Sequence, residues 1–139
     1  MKEVGLVNSE ISDVISHLGH MDEVIVCDAG FPIPLGVRTV DVSLAANRPT
    51  VPELLAVLME AFSVEALVMA EETRRHSPSR YAEIVQIVGA DLPVATMPHA
   101  EFKVRSRTVK AVLRSGDFTA YSNVLLVSGA GSRWHVEQP

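Results

Sequence analysis

An imidazole and a carboxylate eight residues apart, His20 and Asp28, flank a short apolar run, Val24-Ile25-Val26-Cys27. Gly19 precedes the histidine, and Ala29-Gly30-Phe31-Pro32 follows the aspartate. Both groups therefore stand at the ends of elements, where an α/β fold keeps its chemistry. On the sequence pattern His20 ends a helix, where the helix dipole favours a protonated ring suited to proton transfer. It reads equally as a capping residue for the last helix carbonyls. Asp28 either orients an imidazole, binds a ligand hydroxyl, or closes an Asx turn before Gly30.

Two further groups join these. His99 follows Pro98 and opens a short helix. Tyr121-Ser122-Asn123 begins a strand, in which Tyr121 and Asn123 share a face and Ser122 points away. A phenol and an amide on one face suit the reading of sugar hydroxyls; a polar strand start after a turn is the plainer account. His17 and His20 have the spacing of a metal pair, but Gly19 intervenes and no third ligand follows at a familiar distance. A metal is therefore not expected. Nucleotide loops, the nucleophile elbow and Cys-x-x-Cys are all absent.

The elements that would position these groups follow from periodicity. Asn8 caps a helix with Ile11, Val14, Ile15 and Leu18 inward, stopped by Gly19. Val24–Cys27 is a buried strand, and residues 28–36 form a rigid loop rich in Gly and Pro. Residues 38–42 have strand character. Thr50 and Glu53 make a capping box with Pro52 in the first turn, starting a helix through Phe62. A strand over 64–70 comes next, then a helix from Pro78 closed by Gly89. A strand over 92–96, a short helix over 100–104, and strands over 110–113 and 124–127 complete the pattern. The alternation predicts an α/β fold: one three-layer domain over residues 1–139, its largely parallel sheet flanked by helices, with 129–139 an irregular tail.

Composition narrows the class. Hydrophobic residues make up 47% of the 139 and aromatics only 5%, so the excess is aliphatic. Such a chain buries a sheet on both faces and hides surface in an oligomer. A net charge of −5 without a continuous basic face argues against nucleic acid. Cys27 is alone, which excludes an intrachain disulfide and fits a reducing cytoplasm. No secretory signal or membrane-length apolar run is read.

Several motifs together resemble the D-ribose pyranase family of sugar mutarotases, to which fucose mutarotase is related. They are Gly19-His20, Asp28-Ala29-Gly30-Phe31-Pro32-Ile33-Pro34, Asp41-Val42-Ser43-Leu44, Ala56-Val57-Leu58-Met59-Glu60, His99-Ala100-Glu101-Phe102-Lys103, Arg114-Ser115-Gly116-Asp117-Phe118-Thr119 and Tyr121-Ser122-Asn123. They run in order from about Gly5 to Gly129. The resemblance implies interconversion of pyranose and furanose forms of ribose, with no cofactor and no metal. It implies His20 as the proton donor and Asp28, His99, Tyr121, Ser122 and Asn123 as sugar-binding residues. It also implies a homo-oligomer of pentameric rings stacked as a decamer, with sites near subunit contacts. The loop after Asp28 looks like the ribose rather than the fucose branch. Ala100, where an acidic residue is common, and the Ser132-Arg133-Trp134-His135 tail depart from the pattern. A fucose-type mutarotase and a non-catalytic sugar-binding module are the alternatives.

Overall fold

A computed structural model describes residues Met1–Pro139. Its centre is a six-stranded sheet: β1 (Glu23–Cys27), β2 (Thr39–Asp41), β3 (Val64–Ala70), β4 (Val94–Met97), β5 (Ala111–Arg114) and β6 (Val124–Ser128). The order across the sheet is β2-β5-β1-β6-β3-β4. The β1–β5, β2–β5 and β3–β4 pairs are parallel, whereas β6 runs antiparallel to both β1 and β3. The sheet is thus mostly parallel, as expected, with one reversed strand in its middle.

Alternation along the strands separates two apolar faces, because successive side chains point to opposite sides. Val24, Val26, Leu67, Met69, Leu113 and Leu126 face one side. There they meet α1 (Ser9–Ser16), α2 (Val51–Leu58) and α4 (Pro78–Val88). Ile25, Cys27, Val68, Val112 and Leu125 face the other, against Phe31 and α5 (His99–Arg105), whose Phe102 is fully buried. These are the expected helical layers on both faces.

Local chemistry accounts for most boundaries. Asn8 accepts from the Ile11 N–H and Thr50 from the Glu53 N–H, while Glu53 reaches back to the Thr50 N–H. Two expectations need correction. Helix α1 stops at Ser16, with His17 as its C-cap, not at Gly19. His20 therefore lies in a separate turn, closed when the Gly19 N–H donates to the Asp22 carboxylate at 2.7 Å. The dipole argument for its charge does not apply. The second correction is an extra helix, α3 (Glu71–His76), directly after β3. No helix is long and apolar enough to cross a membrane.

Candidate functional site

The strand directions bring the chemistry to one end of the sheet. β1, β3, β4 and β5 finish at the same end, and the reversed β6 begins there. The segments just beyond β1, β4 and β5 and just before β6 enclose a cavity of about 530 Å³. Asp28, His99, Tyr121 and Asn123 all line it, joined by Phe31, Arg114 and Asp117.

Asp28 is 8% exposed. The carboxylate accepts from the Gly30 N–H at 3.0 Å, while the Asp28 N–H donates to Asn123 Oδ1 at 2.8 Å. Burial pushes the Asp28 carboxyl above its ordinary range, opposed by bonds from Gly30, Asn123 and the Ser122 backbone. Asp28 and Asn123 are thus locked to one another across neighbouring strands. That pairing follows from the β1–β6 register, which sets Val26 opposite Val124.

His99 opens α5, and its N–H donates to Glu72 Oε2 at 2.8 Å. The ring meets Tyr121 edge-on at 5.1 Å and Phe31 edge-on at 6.2 Å. Burial and Lys103 hold the imidazole below its ordinary value, against the pull of Glu72 and Asp28. His99 Nδ1 is buried with no partner. An orphaned buried N–H is rarer than an orphaned acceptor, so the proton belongs on Nε2. A neutral ring with Nε2–H is then a hydrogen-bond donor.

Tyr121 sits in the left-handed region, with φ 59°. Its carbonyl accepts from the fully buried Thr73 hydroxyl at 2.7 Å, and its ring stacks on His76 at 5.7 Å. Strain of this kind is held only where the surroundings over-determine it. Tyr121 and Asn123 reach the same cavity through this turn, not through strand alternation, since β6 begins only at Val124. Ser122 turns the other way: its hydroxyl accepts from Arg80 Nη1 at 2.7 Å and does not line the cavity.

The Arg114-Ser115-Gly116-Asp117 segment ties the cavity together. Arg114 donates to the Ala29 carbonyl at 2.7 Å and, from its other arm, to Asp41 at 2.8 Å. The Ser115 hydroxyl donates to the Cys27 carbonyl at 2.7 Å. A Cβ on Gly116 would collide with the carbonyl oxygens of Ala45 and Arg48, so only glycine fits. Asp117 accepts from the Val51 and Thr119 N–H groups at 2.8 Å each, and pairs with Arg80. Burial alone would raise its carboxyl; those bonds and Arg80 outweigh it and hold it low. Spacing alone gives no sign of Arg80, whose partners at the site, Asp117 and Ser122, lie 37 and 42 residues away.

His20 is elsewhere. It precedes β1 while Asp28 follows it, and five residues at about 3.3 Å each separate the two by about 16 Å. Asp28 therefore does not hold the His20 imidazole within one chain. His20 Nε2 lies 2.8 Å from Glu65 Oε2 instead, and the ring is mostly exposed. His17 Nδ1 lies near Asp13, so the two histidines form no pair. Cys27 is inert: burial pushes its thiol up to about 12.

Comparison with known proteins gives a consistent picture. Residues 1–131 match the RbsD / FucU transport protein family. The chain is 39% identical over 132 residues to a D-ribose pyranase of Thermotoga maritima, covering 93% of this chain and 98% of that one. A D-ribose pyranase of Coprothermobacter proteolyticus is 38% identical over 129 residues, with 93% and 98% covered. Among solved structures, Bacillus subtilis RbsD complexed with D-ribose superposes with a TM-score of 0.89 at 33% identity, covering 94% of this chain and 98% of that one. The fucose mutarotase of Streptococcus pneumoniae in complex with L-fucose gives 0.72 at 17% identity, over 90% and 94%, a likeness of fold.

Proposed function

Because this chain belongs to the RbsD / FucU transport protein family, we propose that it is a D-ribose pyranase, an isomerase that interconverts pyranose and furanose ribose. The observation that carries the reading is the meeting of Asp28, His99, Tyr121 and Asn123 in one cavity, in a chain 39% identical to a D-ribose pyranase. Similarity to the ribose-complexed neighbour, at 33% against 17% for the fucose one, favours ribose over fucose.

The sugar lies among the cavity residues. His99 Nε2–H, the Asn123 amide and the Tyr121 ring fix its hydroxyls and faces, and Ser122 supports that segment through Arg80. Opening the pyranose breaks the bond between C1 and the ring oxygen. The anomeric hydroxyl loses its proton, and the ring oxygen gains one. Protonated His20 supplies the second proton. Asp28, its carboxyl raised by burial, takes the first. The open chain then rotates, and the hydroxyl on C4 attacks C1. His20 recovers its proton from that hydroxyl while Asp28 returns its own to the aldehyde oxygen. Charge and protons balance in each direction, and both groups end as they began.

One chain cannot bring His20 to this sugar across about 16 Å of strand. A second copy supplies it, so the working unit is a homo-oligomer; stacked pentamers in a cytoplasmic decamer are the form we propose. Exposed apolar side chains support a buried contact: Leu35, Leu44 and Phe118 are 102%, 83% and 69% exposed.

Complementation tests the reading. His20→Ala and Asp28→Asn are each expected to abolish enhanced pyranose–furanose exchange, followed by saturation-transfer NMR on ribose. Mixed within one oligomer by co-expression, the two variants regain part of the rate, since some sites combine an intact His20 with an intact Asp28. No recovery at any mixing ratio overturns the shared site, and a fully active His20→Ala overturns His20 as the acid.

A further inference from the structure

The His20 end of the sheet carries a construction that the proton-donor role alone does not explain. β3 reads Val64-Glu65-Ala66-Leu67-Val68-Met69-Ala70, with Glu65 its single charge. The β3–β6 ladder shifts register between Val64 and Ala66: Val64 pairs with Ser128, but Ala66 already pairs with Val127. Glu65 is the extra residue of a β-bulge, a device that re-aims a side chain next to functional sites. Its carboxylate meets His20 Nε2 at 2.8 Å.

Two neighbouring features keep this contact in place. A Cβ on Gly129 would stand 2.8 Å from Glu65 Cβ and 3.2 Å from Oε2, so any other residue there would push the carboxylate aside. On the other flank, Met21 has φ 70°, and its N–H donates to the Ser128 carbonyl at 2.8 Å. The backbone on either side of the pair is thus pinned to the end of β6. A bulge, a required glycine and a left-handed residue converge on one imidazole that lies outside the main cavity of its own chain.

We propose that Glu65 is a positioning residue for His20. It holds Nε2 and turns Nδ1 outward to the sugar of the neighbouring copy. With the Nε2 proton directed at the carboxylate, Nδ1 alone gives and takes the transferred proton. The carboxylate also balances the imidazolium that must be present before each ring opening. This assignment rests on the catalytic reading of His20 above, and Glu65 itself touches no substrate.

The test compares Glu65→Ala and Glu65→Gln in the full-length assembly. Two readouts are used: ribose exchange kinetics, and two-bond ¹H–¹⁵N spectra of the His20 ring, which report which nitrogen bears the proton. Glu65→Ala is expected to lower kcat at least about tenfold with KM little changed. That is well short of the ~10⁴-fold loss when a buried orienting aspartate is replaced, because this pair is partly in water. In the spectra, a fixed ring pattern gives way to a tautomer mixture. Glu65→Gln, which can still accept from Nε2–H, recovers part of the rate and the fixed pattern. An unchanged kcat and ring pattern in Glu65→Ala overturns the proposal. A kcat loss matched by an equal KM increase with the ring pattern intact overturns it too. Should His20→Ala prove fully active, the catalytic reading falls instead, and the ring spectra still decide whether Glu65 orients the imidazole.

Discussion

The two ends of the sheet are built differently. At the end where five strands deliver their loops, polar groups are buried and locked to one another: Asp28 to Asn123, Asp117 to Arg80, Val51 and Thr119. At the other end, His20 stands mostly exposed, with one carboxylate beside it. Buried polar networks cost heavily if half satisfied, so the carboxylate networks of the first end are completed within the chain before any sugar arrives. The second carries no such demand. On the assembly proposed above, its group is finished by association, which removes it from water.

The sharpest way to break this contrast is His20→Ala. Loss of general acid–base help is expected to slow exchange by ~10²–10⁴-fold. Sugar affinity, measured by calorimetry, changes little, because the intact cavity binds on its own. A large loss of affinity would show that His20 binds rather than transfers.

Asp117→Ala attacks the other end. Arg80 and two backbone N–H groups lose their buried partner, and denaturant unfolding is expected to show about 3–5 kcal/mol less stability. If stability changes by less than about 1 kcal/mol, the network is not what holds the cavity.

Acid separates two carboxylates of that same end. The Asp117 carboxyl is lowered by folding, so its contribution is present above the ordinary carboxylate range and is lost as pH falls through the folded value. His99, also lowered, adds stability above the ordinary imidazole value that declines below it. Asp28 is raised, so it takes a proton before Asp117 does. On lowering pH from about 7 to about 4, sugar binding should therefore fail before the fold melts. Melting that precedes the loss of binding would reverse this order.

Asp28→Asn sharpens the contrast further. Affinity for ribose is expected to fall roughly 10–100-fold, the scale of a lost charged hydrogen bond. Thermal stability should hold or rise, since burial opposes the charge. The smallest effect belongs to Thr50→Ala, about 1 kcal/mol from the lost cap on α2, with exchange kinetics untouched.

What the sequence discloses divides along the same line. The α2 capping box and the β3 strand over 64–70 are local patterns, and they are read directly. Helix α3 is not legible there because Glu71-Glu72-Thr73-Arg74-Arg75-His76 has no apolar stripe; only Thr73 is buried. The reversal of β6 was also hidden, as a fully buried strand carries no mark of its direction. Asp28, His99, Tyr121 and Asn123 were found as residues at element ends, and the parallel topology explains why such ends meet. Glu65 and Arg80 had no local signal. The site partners of each lie 37 or more residues away, across strands whose order only the fold reveals.

The lone cysteine has a practical side. Cys27 closes β1, the strand that separates His20 from Asp28, and its buried, protonated thiol is silent towards alkylating reagents in the native protein. Its rate of labelling is accordingly a clock for the opening of the sheet's centre, needing no added probe. Cysteines introduced at exposed Met21 or Phe118 can carry dyes without competition from it, so the proposed approach of one copy's His20 to the next copy's pocket can be tested directly by fluorescence.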